Sequence, residues 1–315
     1  MINPVADPPL RQLTRLRGEM AISSAQLTAA MFPDQPLLGV EFGVVARMCL
    51  ADWAQSRSLA RPTAPARTIS IRQMAFSLGE APETTRRHVN RLIERGAFVS
   101  SAQGVSLATT AENEALVVGY YLGVHDLFLR LIEDMTSTCD LDLYVGEAPA
   151  FGIADVIERA LDALLQPIDT FRPAGSGRLA FLIWGALTVV AVRKVTHDPV
   201  LGRRYANAMP PDELRAAISV RRLAAALSIP YATAWRQVQG LEAKGLVTRL
   251  SDDRWTVLTA NLQRDSVYAI GRAPSNHLLR MIREIAQLGL DPAAAADHYR
   301  LGRPPLADFG LSQNR

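Results

Sequence analysis

The sequence predicts a mainly α-helical fold in which one small unit, two helices followed by a β-hairpin, occurs twice. First, the chain has 315 residues, a length that suits two compact units or a duplicated one. Second, 49% of the residues are hydrophobic and 21% are charged, as in an ordinary folded protein. Third, residues 69–99 align with residues 218–248 without a gap.

The internal repeat is carried by ten identities in thirty-one aligned positions. The identical pairs are Ile69/Ile218, Ser70/Ser219, Arg72/Arg221, Ala75/Ala224, Leu78/Leu227, Thr84/Thr233, Arg87/Arg236, Val89/Val238, Leu92/Leu241 and Gly96/Gly245. After a shift of one residue in the alignment the match resumes, and residues 128–132 align with residues 278–282. Because a repeated pattern indicates one supersecondary unit used more than once, both copies are expected to fold alike.

Each copy opens with a predicted helix. Ser70 and Ser219 are good N-caps because a serine hydroxyl can accept a hydrogen bond from a free amide of the first turn. Apolar residues then recur at helical spacing, at Ile71, Met74, Ala75 and Leu78 and at Val220, Leu223, Ala224 and Leu227. A short break follows at residues 79–82 and 228–231.

A second helix is predicted over about residues 83–95 and 232–244. Gly96 and Gly245 are expected to end it, because glycine readily adopts the left-handed conformation found after helix C-termini. Beyond each glycine, two apolar stretches flank a polar turn, which predicts a two-stranded hairpin. The paired stretches are residues 98–99 with 105–107, and residues 246–247 with 255–257.

Helix, turn, helix, glycine and hairpin is the order of a winged helix-turn-helix. The residues resemble those of the MarR and GntR regulator families over about forty residues in each copy, roughly a quarter of the chain. The first copy reads Ile-Ser-Ile-Arg, Leu-Gly, Thr-Thr-Arg-Arg-His-Val and Leu-Ile-Glu-Arg-Gly-Ala-Phe-Val. The second reads Leu-Ser-Ile-Pro, Thr-Ala-Trp-Arg and Leu-Glu-Ala-Lys-Gly-Leu-Val. The resemblance implies a DNA-binding regulator.

MarR-like proteins frame the winged helix with flanking helices that they use to dimerise, and similar helices are predicted here. They lie at about residues 37–55 and 179–195 before the two copies, and at 113–135 and 262–288 after them. This chain departs from that family in carrying two modules. Two arrangements therefore stay open, a homodimer and an intramolecular pseudo-dimer in which the two halves of one chain pair.

Five segments are predicted from these elements and from composition. They are a partly mobile N-terminal arm (1–36) with a short helix near residues 24–31, the first repeat with its flanking helices (37–135), an acidic connector (136–177) with a helix at 151–165, the second repeat with its flanking helices (178–290), and a loosely held C-terminal tail (291–315).

The second helix of each copy is the predicted recognition helix. At about 100° per residue, Thr85, Val89 and Leu92 face the core, while Arg87 and Asn90 face outward. The second copy has Arg236 and Gln239 at the outward positions. Arginine and carboxamide side chains read guanine and adenine edges in the major groove, although arginine also holds phosphates without base preference.

Eleven residues are the predicted contacts to double-stranded DNA: Thr84, Arg86, Arg87, Asn90, Arg91, Thr233, Trp235, Arg236, Gln239, Arg249 and Arg254. The two threonines lie near helix starts, where hydroxyls and free amides can meet phosphate oxygens. Arg249 and Arg254 belong to the second hairpin. The first hairpin, around residues 100–104, has no basic residue, so the two copies are expected to contact DNA unequally.

Charge is unevenly distributed along the chain. Residues 61–99 hold seven arginines against three glutamates, whereas residues 111–170 hold twelve acidic residues against two arginines. Phosphates would be repelled by the acidic middle, so it is assigned to the core, to pairing between halves or to self-association.

No enzyme, metal site or cofactor is predicted. The five histidines show no ligand spacing on a common helix, and two cysteines suit reduced thiols in a cytosolic protein. The longest apolar run, residues 179–192, falls short of the roughly 20 residues that a membrane-spanning helix needs and predicts a buried core helix. No secretory signal is visible, so the expected location is cytoplasmic and nucleoid-associated.

The sequence therefore predicts a sequence-specific transcriptional regulator. Two alternatives stay open. One is a plasmid-type replication initiator, which also joins two winged helices in one chain. The other is a non-enzymatic winged-helix scaffold that binds proteins. Net acidity on the recognition faces would favour the scaffold, but both faces carry an arginine, Arg87 and Arg236.

Overall fold

The computed structural model describes residues 8–33, 35–57, 67–139, 141, 143–147, 149–166, 177–251, 253–263 and 265–310. These residues form a mainly helical structure with small antiparallel sheets, as predicted. The helices are α1 (Leu10–Met31), α2 (Leu38–Arg57), α3 (Ile71–Leu78), α4 (Pro82–Glu94), α5 (Ala111–Thr138), α6 (Ile153–Leu165), α7 (Arg178–His197), α8 (Pro199–Arg204), α9 (Val220–Ala226), α10 (Tyr231–Ala243), α11 (Thr259–Leu262) and α12 (Asp265–Gln287). The strands are β1 (Phe98–Ser101), β2 (Gly104–Leu107), β3 (Ile218–Ser219), β4 (Thr248–Ser251) and β5 (Arg254–Thr256).

The first unit, residues 69–107, forms α3, α4, β1 and β2 from local signals. The Ser70 hydroxyl accepts a hydrogen bond from the Gln73 amide, and the Gln73 side chain accepts one from the Ser70 amide, a capping box that fixes the start of α3. Pro82 begins α4, where its missing N–H would have had no helical partner. Gly96 follows the helix with a left-handed φ of 72°.

The second unit, residues 218–257, repeats this design. The Ser219 hydroxyl accepts from the Arg222 amide at the start of α9. Gly245 has a left-handed φ of 67° after α10. The predicted recognition helices are confirmed as helices, each beginning and ending one residue earlier than predicted.

Each unit ends in a small antiparallel sheet, and the two sheets have the same topology. In the first, β1 pairs with β2, and Ile69 bridges to Val105. In the second, β5 pairs with β4 on one side and with β3 on the other, where Ile218 faces Trp255. Ile69 and Ile218 are aligned positions, so the predicted duplication extends to the strand that precedes the helices. β4 begins at Thr248, two residues later than predicted, and the preceding apolar pair is buried in the core.

Two hydrophobic cores hold the units. The first joins α1, α2, α5, α6, α12 and the first unit. The second joins α7 and the second unit with Ile22 from α1 and Phe309 from the C-terminal segment. α12 follows the second unit in the sequence but packs on α1 and α6. The predicted grouping of residues 178–290 therefore differs from the structure at its end, since the last flanking helix lies in the first core.

The prediction of a partly mobile N-terminal arm is wrong for residues 10–31, and the helix predicted near residues 24–31 is the end of a longer one. Residues 10–31 form the 22-residue helix α1, which buries Leu13, Leu16 and Met20. Polar residues made the segment resemble an exposed arm, but several of them are paired inside the protein. Gln12, for example, donates from Nε2 to the hydroxyl of Thr138 at 2.9 Å and to a backbone carbonyl of α7 at 2.8 Å.

The prediction of a loosely held C-terminal tail is wrong for residues 292–310. A 3₁₀ helix covers Pro292–His298. The backbone amides of residues 300 and 301 then donate to the buried carboxylate of Asp126 on α5. Phe309 is 2% exposed and lies under the guanidinium of Arg193, 4.8 Å from the ring centroid. A carboxylate and a cation far away in sequence thus anchor this segment.

Two helices are long and apolar enough to span a membrane by length and composition, α5 and α7. In their most apolar windows, 72% of α5 and 61% of α7 is buried inside the protein, as is usual for core helices of soluble proteins. The prediction that residues 179–192 form a buried core helix is confirmed, since α7 buries most of its apolar side chains.

Candidate nucleic-acid interface

α4 presents one polar face to solvent and one apolar face to the core. Thr85, Val89 and Leu92 are fully buried, while Arg87 and Asn90 are exposed one turn apart. The predicted orientation of this helix is therefore confirmed. The division follows from the 3.6-residue period, which places the apolar positions on a single stripe.

The cations of α4 differ in their partners. Arg86 forms an ion pair with Glu83 at 2.9 Å, and both side chains are more than half exposed. Such an exposed pair contributes about 0.2–1 kcal/mol, so a phosphate can replace the glutamate at little cost. Arg87 and Arg91 are exposed and have no ion pair or hydrogen-bond acceptor within the described part of the chain. Thr84 is partly buried near the start of the helix.

α10 repeats the arrangement in the second unit. Ala234, Val238 and Leu241 are buried, and Arg236 and Gln239 are exposed. Arg236 has no ion pair or acceptor among the residues that the structure describes. Thr233, the equivalent of Thr84, is again partly buried near the helix start. An exposed arginine followed one turn later by a carboxamide therefore occurs at the same register in both units.

Aromatic side chains distinguish α10 from α4. Tyr231 and Trp235 stack with ring centroids 6.2 Å apart and an interplanar angle of 24°. Trp235 also meets the buried Trp255 of β5 edge to face, with centroids 6.2 Å apart. The aligned positions in α4 are Pro82 and Arg86, so the first unit has no such stack.

The two hairpins differ in charge as predicted. Arg249 and Arg254 are exposed on β4 and β5. The Arg249 guanidinium lies 5.9 Å from the centroid of the Trp255 ring, which holds the stem of the arginine along the sheet. Residues 98–107 contain no basic side chain. The hairpin of the second unit alone can therefore offer cations to a neighbouring phosphate backbone.

Sequence reasoning missed one pair of exposed cations. Arg72 and Arg221 are identical positions of the repeat on the first helix of each unit. Both are exposed and, within the described residues, without an ion pair or acceptor. The signal was available, since identity between the two copies at a solvent-facing position has no packing cause.

A buried charge cluster fixes the back of α4. Glu41 of α2 is fully buried and accepts from His88 of α4 at 2.8 Å and from Arg178 of α7 at 2.6 Å. Arg178 also binds Glu80, in the turn between α3 and α4, at 2.8 Å. Burial is the largest influence on Glu41 and would raise its pKa, but the hydrogen bonds and positive charges outweigh it and hold the pKa below the ordinary value.

Some carboxylates of the acidic middle are internal. α5 carries Asp126 and Asp134, both buried, with partners in the C-terminal segment and on α5 itself. On α6, Glu158 and Asp162 bind Arg47 of α2 at 2.6 and 2.7 Å. These four carboxylates hold helices together, whereas Glu112, Glu114 and Glu147 are exposed, so the expectation that this segment belongs to the core is met only in part.

No protein-family model, curated protein or solved structure is significantly similar to the chain. Its function is therefore inferred from its own residues.

Proposed function

We propose that the protein binds double-stranded DNA in a sequence-specific manner as a transcriptional regulator, and that its two repeat units are winged helix-turn-helix modules. In each module the first helix (α3 or α9) supports a recognition helix (α4 or α10), and the hairpin is the wing. The helices, the left-handed glycine and the three-segment sheet occur in the same order in both units. This is the order expected of the fold.

One observation carries the proposal: the exposed arginine and carboxamide at the same register of both recognition helices. Arg87 with Asn90, and Arg236 with Gln239, face solvent in the described structure. A single exposed arginine is ordinary on a protein surface. Two equivalent ones, each one turn before an amide, match the side-chain types that distinguish guanine and adenine in the major groove.

Electrostatics support the same interpretation to a lesser degree. Residues 218–256 hold six basic side chains against three acidic ones, and residues 69–107 hold five arginines against three glutamates. On α5, Asp134 pairs with Arg130 inside the protein, and on α6, Glu158 and Asp162 pair with Arg47, so part of the negative charge of these helices is neutralised. A phosphate backbone would thus meet locally positive modules on an otherwise nearly neutral protein.

The two modules share one framework, which supports binding as an intramolecular pseudo-dimer. α1 packs against α5, α12 and α7, so it contacts the frames of both modules. Since the recognition helices differ in sequence, the bound site is expected to consist of two unlike halves. A second chain is not needed to supply the second recognition helix.

Genome-wide mapping of DNA bound in the source cell tests the function. The wild-type protein is compared with the double variant Arg87→Ala/Arg236→Ala, whose fold is checked by circular dichroism. Sharp peaks at promoters that vanish in the variant would support the proposal. Peaks confined to a replication origin would identify a replication initiator. An absence of peaks with a folded, expressed protein would overturn DNA binding and favour a protein scaffold.

A further inference from the structure

We infer that the aromatic pair Tyr231 and Trp235 makes the second module specific for thymine, by contact with the 5-methyl group in the major groove. The inference rests on the proposed function, since it describes one contact of the same recognition helix. It follows from the position, exposure and chemistry of the two rings.

The pair lies beside the outward face of α10. At about 100° per residue, Trp235 is next to Gln239 around the helix, on the side away from Arg236, and Tyr231 lies one turn before Trp235. A duplex in contact with Gln239 therefore lies beside Trp235, and Tyr231 extends this edge towards the start of the helix. Tyr231 is 51% exposed, so its ring is accessible to a ligand.

The rings are held in place. Trp235 is wedged between Tyr231 and the buried Trp255, with centroid distances of 6.2 Å to each. Trp255 belongs to β5 and is 1% exposed, so the stack is anchored in the core of the module. A ring that is already positioned loses little conformational entropy on binding, which favours its use as a contact.

The chemistry of the groove selects the target. The edges of the bases in the major groove are hydrogen-bond donors and acceptors, and the apolar group among them is the thymine methyl. An aromatic ring face offers no strong hydrogen-bond donor or acceptor, whereas burial of a methyl against it removes apolar surface from water. The first module, with Pro82 and Arg86 at the aligned positions, has no equivalent surface and is expected to be indifferent to the methyl.

Deoxyuridine substitution tests the inference. The probe is a synthetic duplex that carries the bound sequence, with thymine replaced by deoxyuridine in one half-site at a time. This change keeps base pairing and removes the methyl. We expect the half-site of the second module to lose about fourfold in affinity for each contacted methyl, the value of one buried CH₂-sized group, and the other half-site to lose almost nothing. The half-sites are assigned by footprinting the Arg236→Ala variant.

Variants show whether the aromatic pair causes the effect. Tyr231→Ala should weaken binding to the thymine duplex and make the protein insensitive to deoxyuridine. Tyr144→Ala removes a tyrosine that is 70% exposed on the acidic connector and should keep the full sensitivity. Trp235→Phe, which keeps a ring against Trp255, should retain the fold and reduce the sensitivity.

The outcomes separate the two proposals. Equal wild-type affinity for the thymine and deoxyuridine duplexes, or a second half-site without thymine, overturns the inference and leaves the proposed function intact. A deoxyuridine effect that persists in Tyr231→Ala also overturns it, since the methyl would then act through the shape of the duplex. Failure of the wild-type protein to bind any recovered duplex overturns both.

Discussion

Arg178, the first residue of α7, places Nη2 2.6 Å from the fully buried Oε1 of Glu41 on α2. The same guanidinium binds Glu80 between the two helices of the first module, and Glu41 also binds His88 on the recognition helix. The helix that precedes the second unit thus holds α4 of the first unit. The two units are linked through the two ion pairs of Arg178 and the hydrogen bond between Glu41 and His88, all of them buried or partly buried.

Removal of Arg178 should destabilise the protein strongly. Arg178→Ala leaves the carboxylate of Glu41 buried with one cationic partner fewer, and loss of one partner of a buried pair typically costs about 3–5 kcal/mol. Denaturant unfolding followed by circular dichroism measures the effect. Arg280→Ala is the matched control, because Arg280 is 63% exposed in its pair with Glu284 and should lose less than about 1 kcal/mol. Equal effects of the two substitutions would contradict this role.

The protein should lose stability as the pH falls below about 4.3, the pKa of an unfolded glutamate. Burial is the largest influence on Glu19 and would raise its pKa, but the ring of His197, whose Nε2 lies 3.6 Å away, and the hydrogen-bonded guanidinium of Arg193 outweigh it and lower the pKa. A carboxyl whose pKa is lowered by folding contributes stability above its unfolded pKa. That contribution disappears as the pH falls through the folded value. Glu41 acts with the same sign.

Unfolding free energies between pH 7 and pH 3 measure this loss. Glu19→Gln should be less stable than the wild type at pH 7 and should depend less on pH in the acid range. Glu213→Gln, at an exposed position, should follow the wild-type curve. If Glu19→Gln kept the full acid dependence, the stability would come from other carboxyl groups.

The repeat units could be predicted because their signals are local. Ser70 caps α3 through a residue three positions away, and Gly96 ends the recognition helix by its own backbone conformation. The outward arginines follow from the period of the same short helix. No partner distant in sequence is needed to place Arg87 or Arg236 on the surface.

The frame could not be predicted in the same way, since its signals are distant pairings. Gln12 reaches Thr138 and α7, and Arg193 reaches Glu19, across more than a hundred residues. A polar side chain in α1 has the same sequence signature whether it meets water or a buried partner. For the same reason, the Arg178–Glu41 pair could not be predicted from the sequence, and neither could the link that it makes between the two units.

DNA binding should be steeply salt-dependent and unaffected by a chelator. Arg87, Arg91, Arg236 and Arg254 are exposed cations that can displace counterions from phosphates. Each phosphate contact lowers the slope of log K against log salt by about 0.9, so several contacts cost orders of magnitude between low and moderate salt. Electrophoretic shift assays across a salt series, with and without EDTA, measure both. A flat salt series would rule out phosphate contacts, and loss of binding with EDTA would reveal a metal requirement.

Both recognition helices should contribute to affinity, the second more than the first. Arg236→Ala should weaken specific binding about tenfold or more, since one good arginine–guanine contact discriminates by roughly 1–3 kcal/mol. Arg87→Ala should weaken specific binding less, because the hairpin of the first module offers no cation to the phosphate backbone beside the Arg87 contact. Both side chains face away from the core, so neither substitution should change the circular dichroism spectrum or the unfolding free energy.

Footprinting of the same proteins tests the pairing of the modules. If the two halves of one chain bind together, the protected DNA should show two regions about one helical turn, or a multiple, apart. The two regions need not be palindromic, because Asn90 and Gln239 lie on recognition faces that otherwise differ. Each single variant should lose protection over one region first, and the region lost should differ between Arg87→Ala and Arg236→Ala. Two folded variants with wild-type affinity and unchanged footprints would remove both recognition helices from the DNA interface and leave the protein-binding scaffold as the better account.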